Sequence, residues 1–275
     1  MNRILVTGAT GHIGSELVKL LKQRGDDFAV MTSKAGREIP GVLTVSGDFN
    51  DAASLKRAFS GFDTLFLLLP LVPNKLELAR NAVEAARAAG IRHIVRSSGA
   101  GADVNSPASL ARLQGSIDQL IIDSGIAHTF LRPNSFMQNL VNYSAGQIKG
   151  GTLYAPNGDG AQSLIDVRDI ADCAAAVLAN PAAHAGKAYT LTGGEAFNNA
   201  QQMALISQAI GRPVSYVDVP ESAAIEAMQG MHMPDVIIDW FMSLNRVVKL
   251  GYTAGITDDV QRLTGHAPRR LADFV

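Results

Sequence analysis

Three glycines near the start of the chain are the first residues whose spacing could do chemistry, in Ile4-Leu5-Val6-Thr7-Gly8-Ala9-Thr10-Gly11-His12-Ile13-Gly14. An apolar, β-like run leads into them, and Ile13, Leu17, Leu20 and Leu21 follow at helical spacing until Gly25. Gly8 permits a tight turn, Gly11 lets backbone approach a pyrophosphate, and Gly14 lets a helix pack closely on the strand. The helix N-terminus then offers free backbone N–H groups to an anion. The spacing is Gly-x-x-Gly-x-x-Gly, not Gly-x-Gly-x-x-Gly, and a strand-turn-helix without a ligand is the plain alternative.

A second stretch, Ser33-Lys34-Ala35-Gly36-Arg37, follows an apolar strand over 28–32. A site that prefers NAD places a carboxylate about 20 residues after the glycines, where it accepts hydrogen bonds from the ribose. Here that place holds a hydroxyl, an ammonium and a guanidinium, which suit a 2′-phosphate and favour NADP(H). Asp26 and Asp27 precede the strand and so belong to its opposite end. The alternative is that Lys34 and Arg37 are solvated surface charges. Asp48 closes the run 42–47 at a strand's carboxyl end, where it can meet an adenine amino group while Phe49 packs near the ring. It can equally be a turn residue, with Asp51 capping the next helix.

These residues need elements to position them. Apolar runs predict strands over 4–6, 28–32, 42–46, 64–69, 92–96 and 127–131, and helical periodicity lies between most of them. Such alternation specifies an α/β fold with a doubly wound parallel sheet. The loop 100–107 either folds over a bound nicotinamide or merely connects elements. Later come a strand over 187–191, a helix over 201–210 with Asn198 and Gln201 as its capping box, and a strand over 214–219. Ile237, Trp240, Phe241, Leu244 and Val248 mark a late amphipathic helix. Met228, Met231, Met233 and Met242 lie nearby, as core or as an adaptable apolar wall. Residues 1–150 read as the nucleotide-binding core, and 151–275 as remaining core elements and a small substrate lobe packed with it as one unit.

Composition narrows the partners. With 275 residues, 47% hydrophobic and 18% charged, the chain has ample material for a core. A net charge of −1 gives no long-range field for nucleic acid or acidic membrane, so small molecules are the expected partners. No apolar run approaches the about 20 residues of a membrane span, and the N-terminus enters a strand without a signal-peptide pattern, so a cytoplasmic location is expected. The single cysteine, Cys173, sits in a small-residue helical run as a structural thiol. The six histidines are scattered, and no metal site is expected.

The motifs, in order, resemble the NmrA-like branch of the atypical short-chain dehydrogenases/reductases. The residues that carry the likeness are Thr7 to Gly14, Gly47-Asp48, Ser124-Gly125, Thr129-Phe130-Leu131-Arg132-Pro133 with Phe136-Met137-Gln138-Asn139, Asp166-Val167-Arg168-Asp169-Ile170-Ala171, and Thr264-Gly265 before Pro268. The resemblance implies a Rossmann core, an NADP(H)-type cofactor and a substrate cleft against a smaller C-terminal lobe. It implies an NADPH-dependent reductase of quinones or conjugated dyes or, alternatively, a redox sensor that binds the dinucleotide without turnover and acts on a protein partner. Cofactor contacts then fall to Gly8, Thr10, Gly11, His12, Ile13 and Gly14, to Ser33, Lys34 and Arg37, and to Asp48, Phe49 and Leu69.

The chain departs from the classical enzymes in having no Tyr-x-x-x-Lys pair, because none of its five tyrosines has lysine four residues later. Gln114 stands where related reductases often have histidine, and an amide donates no proton at neutral pH. Hydride transfer to a delocalised acceptor needs mainly positioning. Ser98 as donor, Gln114 and Asn134 as orienting amides, and Phe136 and Tyr143 as walls are the candidates. Their structural alternatives are a backbone cap for Ser98, turn shaping for Asn134 and core packing for Phe136.

Overall fold

The computed structural model describes residues 2–33 and 38–275, and Lys34 and Arg37 therefore lie outside the described residues. The first half runs β1 (Ile4–Val6), α1 (His12–Arg24), β2 (Phe28–Thr32), β3 (Leu43–Ser46), α2 (Ala52–Phe59), β4 (Thr64–Leu67), α3 (Lys75–Ala89), β5 (His93–Ser97), α4 (Ser109–Asp123) and β6 (Ala127–Pro133). The second half adds α5 (Asn139–Asn142), α6 (Ala145–Lys149), β7 (Thr152–Ala155), β8 (Ala161–Gln162), α7 (Val167–Ala179), β9 (Lys187–Leu191) and β10 (Phe197–Asn198). It closes with α8 (Asn199–Ile210), β11 (Ser215–Asp218), α9 (Glu221–Gly230), α10 (Asp235–Lys249), α11 (Asp259–Thr264) and α12 (Leu271–Phe274).

Seven strands form one parallel sheet in the order β3-β2-β1-β4-β5-β6-β9. Strands β1, β4 and β5 are buried along their whole length, as apolar residues on both faces require. Leu17, Leu21, Ile170, Val177 and Val260 from α1, α7 and α11 fill one side. Leu55, Phe59, Leu78, Val83 and Ile117 from α2, α3 and α4 fill the other. Each such side chain contributes roughly 1.5–3 kcal/mol when fully buried. This is the doubly wound Rossmann arrangement, and its order reverses between β1 and β4, where an open sheet leaves a crevice at the strands' carboxyl ends.

Two strand ends differ from the periodicity, and both differences shape the crevice. Strand β4 stops at Leu67 because the Thr7 side chain replaces the ladder, accepting the Leu68 N–H at 2.9 Å. Leu68 and Leu69 thus leave the sheet. Strand β6 continues past Leu131 because its pairing with β9 runs on to Pro133 opposite Leu191.

A smaller lobe forms around Leu153, Met203, Ile206 and Leu271, with β7 parallel to β11 and β8 antiparallel to β10. The Asn198–Gln201 capping box starts α8, each side chain accepting the other's backbone N–H at 2.9 Å. Helix α10 is tied to the N-terminus of α4, where the Leu110 N–H donates to Ser243 Oγ at 3.2 Å. No helix among the described residues is long and apolar enough to cross a membrane.

Candidate functional site

The turn from β1 to α1 is shaped by what its glycines omit. Gly8 has φ of +66°, a left-handed conformation that suits glycine, and a Cβ there would lie 2.9 Å from Leu68. A Cβ on Gly14 would lie 2.2 Å from the Gly8 carbonyl oxygen, a backbone collision with no escape. Gly11 precedes α1 and supplies no side-chain cap, so the first N–H groups of the helix face outward. They face a groove of about 430 Å³ lined by Gly8 to Ile13, Met31 to Ser33, Gly47, Phe49, Leu68 to Pro70 and Phe136. Its glycine floor and its uncapped helix end fit a dinucleotide pyrophosphate. Among the described lining residues there is no carboxylate to repel a 2′-phosphate.

Asp48 is not in that lining. Its Oδ1 accepts the backbone and side-chain N–H groups of Asn50 at 2.9 and 3.0 Å, and Asp51 caps α2 by accepting from Ala53 and Ser54. Asp48 Oδ1 thus serves a turn, the role the sequence offered beside an adenine contact, while Gly47 and Phe49 line the groove. A Cβ at Gly47 would lie 2.6 Å from Met31 Sδ, so glycine there lets the two walls meet.

Beyond Ile13, Leu68, Leu69 and Phe136 the groove opens into a cleft of about 330 Å³. These four residues line both spaces. The cleft is walled by Ser98 and Ala100 after β5, Gln114 on α4, Asn134 after β6, and Phe241, Leu244 and Val247 on α10. The loop 100–107 packs down on α4, because Gly115 leaves room where a Cβ would lie 2.3 Å from the Asp103 carbonyl carbon. Tyr143 stands at the mouth, 71% exposed, edge-on to Phe241 at 6.2 Å. Of the four methionines singled out by sequence, none lines the cleft, and Met231 is exposed.

The polar side chains of the cleft are mostly committed to protein. Arg96, on β5, is fully buried and binds the Asp118 carboxylate, the Gln114 side-chain oxygen, and Ser98 Oγ at 2.8 Å. Ser98 donates its own proton to Asp118 Oδ2 at 3.0 Å, and Arg132 bonds that same oxygen at 3.0 Å. Ser98 is therefore corrected from a free donor to a brace. Asn134 is corrected likewise: its Nδ2 donates to Ser163 Oγ and to the Thr253 carbonyl, both at 2.8 Å, and its Oδ1 accepts the Ser135 N–H. Both of its N–H donors are thus spent on protein, and only acceptor capacity at Oδ1 is left. Gln114 has its oxygen held by Arg96, while among the described residues its Nε2 has no acceptor, so this amide N–H₂ is available to the cleft.

Sequence reading missed two things here. The first is the Arg96–Asp118 brace, whose signal was available as Arg96 and Ser98 at strand spacing opposite Gln114 and Asp118 at helical spacing. The second is Lys75, which is only 6% exposed and lines the cleft. Its type and position on an otherwise ordinary helix gave no signal.

Other motif residues act from behind. The side chain of Gln138 bonds Asp166 Oδ1 at 3.0 Å and accepts the Val167 N–H at 3.1 Å, while Asp166 caps α7. Burial pushes the Asp166 carboxyl up, but hydrogen bonds from Arg168 and Gln138 outweigh it and hold the group below its ordinary range. This clamp fixes the bridge between Phe136 and Ile165, and so the aromatic ring at the junction. Asp169, Asp172 and His266 come close enough for a metal, yet Arg269 already bonds both carboxylates. Cys173 is fully buried, and burial pushes its thiol up and away from reactivity.

Comparison with known proteins agrees with this geometry. The model of the NmrA-like family matches residues 1–271. An NAD(P)H azoreductase of Xenophilus azovorans is 39% identical over 275 residues, covering 98% of this chain and 96% of that protein. The crystal structure of an NADPH-dependent quinone oxidoreductase from Escherichia coli, complexed with NADPH, superposes with a TM-score of 0.88 at 27% identity, covering 98% of both chains. A Staphylococcus aureus structure described as a nucleoside-diphosphate-sugar epimerase gives 0.90 at 26% identity, over 100% of this chain and 99% of that one.

Proposed function

The chain belongs to the NmrA-like family, and from that premise we propose that it is an NADPH-dependent reductase of conjugated, electrophilic small molecules of the quinone or azo-dye kind. The observation that carries this reading is the junction at Phe136, where a glycine-floored groove and a mainly apolar cleft share Ile13, Leu68, Leu69 and Phe136 as a common wall. The relatives named for azo and quinone reduction support the acceptor class. Bound in the groove, the nicotinamide would supply a hydride.

The chain's own residues account for the rest. The α1 N-terminus and the Gly8–Gly14 turn hold the pyrophosphate. Ser33, with Lys34 and Arg37, receives the 2′-phosphate. Leu68, Leu69 and Phe136 exclude water at the junction, which strengthens electrostatic interactions there. Gln114 presents its N–H₂ to an acceptor oxygen or nitrogen, and Ala100, Phe241 and Val247 give a flat conjugated ring an apolar bed. The cleft's position beside the nicotinamide end gives proximity, the main need of a hydride transfer to a delocalised acceptor.

The test is NADPH consumption, followed by its absorbance, across a panel of quinones and azo dyes with NADH in parallel. Acceptor-dependent turnover that favours NADPH is expected. Tight NADPH binding with no turnover by any acceptor would overturn the reductase reading and return the cofactor sensor.

A further inference from the structure

We propose that Lys75 is the acid that protonates the acceptor in the cleft beyond Phe136, a role that rests on the reductase reading above. Lys75 opens α3, and its side chain is buried against the cleft that also holds Ser98 and Gln114. Among the described residues its ammonium makes no hydrogen bond or ion pair. A buried cation without a partner costs free energy that an apolar residue of the same shape would not. Such a group is explained when a partner arrives only during the reaction.

The charges around it support that role. Among the described residues no carboxylate lines the cleft. The charge that acts on Lys75 is that of Arg96, which is claimed by Asp118, and Arg132 shares that same carboxylate. Tyr143, at the mouth, is the remaining titratable side chain of the lining. Burial, with the Arg96 charge as a second cause, pushes the Lys75 ammonium down to about 7. An acid near neutrality donates its proton readily and recovers it from water. The Gln114 amide, by contrast, can only steer.

The step balances as follows. A quinone or azo acceptor gains a hydride from NADPH, which is released as NADP⁺, and the electron pair leaves the acceptor with a negative oxygen or nitrogen. The Nζ–H bond of Lys75 breaks as an O–H or N–H bond forms, giving the hydroquinone or hydrazo product and a neutral amine. Water reprotonates the amine. Before hydride arrives the acceptor carries no such charge, so the ammonium favours the transition state over the ground state.

Two variants and one titration test this. Lys75→Met keeps the shape and removes a buried charge, so it is expected to fold, to bind NADPH within about twofold of the parent, and to lose about 10²-fold or more in kcat. In the parent kcat falls as pH rises through about 7, and this limb is absent in the variant. Lys75→Arg retains charge but is too weak an acid, and it too stays slow. Full kcat in either variant, or an unchanged pH limb in Lys75→Met, overturns the proposal while leaving the reductase reading intact. If the parent fails to oxidise NADPH with every acceptor of the panel, that reading falls and the acid role falls with it. Independently of turnover, NMR titration of ¹³C-lysine-labelled protein, assigned with Lys75→Met, should show one lysine near 7. Titration of Lys75 at the ordinary 10.5 would overturn the proposal outright.

Discussion

The groove and the cleft share Phe136 but are made differently. The groove's floor is backbone, set by one turn of the chain in which three glycines clear the space and a helix end supplies the donors. The cleft is made of side chains from α3, α4, α10 and the loops after β5 and β6, held by the Arg96–Asp118 brace and by Asn134. A backbone-built site binds what any member of the fold binds, whereas a side-chain-built site can be altered one residue at a time. Cofactor use is therefore the conservative half of this molecule, and acceptor choice the adjustable half.

Mutations can break that comparison. The largest effect is expected from Asp118→Asn, which strips the counter-charge from a fully buried guanidinium and should cost about 3–5 kcal/mol in urea unfolding. A loss below about 1 kcal/mol, the range of an exposed pair, would mean that the brace does not hold the cleft. Gly11→Trp should fill the pyrophosphate approach and raise the NADPH Kd by about a hundredfold, near 3 kcal/mol, with the fold retained by circular dichroism. Normal binding in that variant would refute the cradle.

A third effect is read against pH. The folded Lys75 binds its proton more weakly than an unfolded lysine does, so between about 7 and 10.5 the unfolded state holds more protons and stability rises with pH. The stability that this group denies the protein is thus recovered above 10.5 and lost as pH falls towards 7. Relative to Lys75→Met, the parent should gain roughly 1.4 kcal/mol per pH unit across that window. Parallel curves would mean that the ammonium is not buried unpaired. The smallest effect sharpens cofactor choice: alanine at both Lys34 and Arg37 should weaken NADPH by about tenfold more than NADH, by isothermal titration. Equal losses would remove the 2′-phosphate from that loop.

The same division explains what could be read from the sequence. The sheet, its order of strands and helices, and the Asn198 capping box follow from periodicity and local capping chemistry. The groove's glycines, Ser33 and Phe49 were legible because the residues that matter lie next to each other or at a strand end. Asp48 reads two ways because a carboxylate at a strand's carboxyl end serves a turn as readily as a ligand, and only the fold shows that Asn50, two residues on, takes one of its oxygens. Ser98 and Asn134 do line the cleft, but their bonds go to Asp118, Ser163 and Thr253, between 20 and 119 residues away. No local pattern announces partners at that distance. Lys75 stayed hidden because nothing in the letters around it tells that its side chain will be buried against the cleft.

The clamp on Phe136 has a consequence for how this protein comes into being. Its far half, Ile165, Asp166 and α7, leaves the ribosome well after the glycine turn, and α7 supplies much of the cover for Leu17 and Leu21 on α1. A nascent chain ending near Lys149 thus presents a bare apolar helix face and an untethered Phe136. Every described residue that lines the groove has been made by then, yet α1 still lacks its cover, so the chain is exposed to aggregation until α7 emerges.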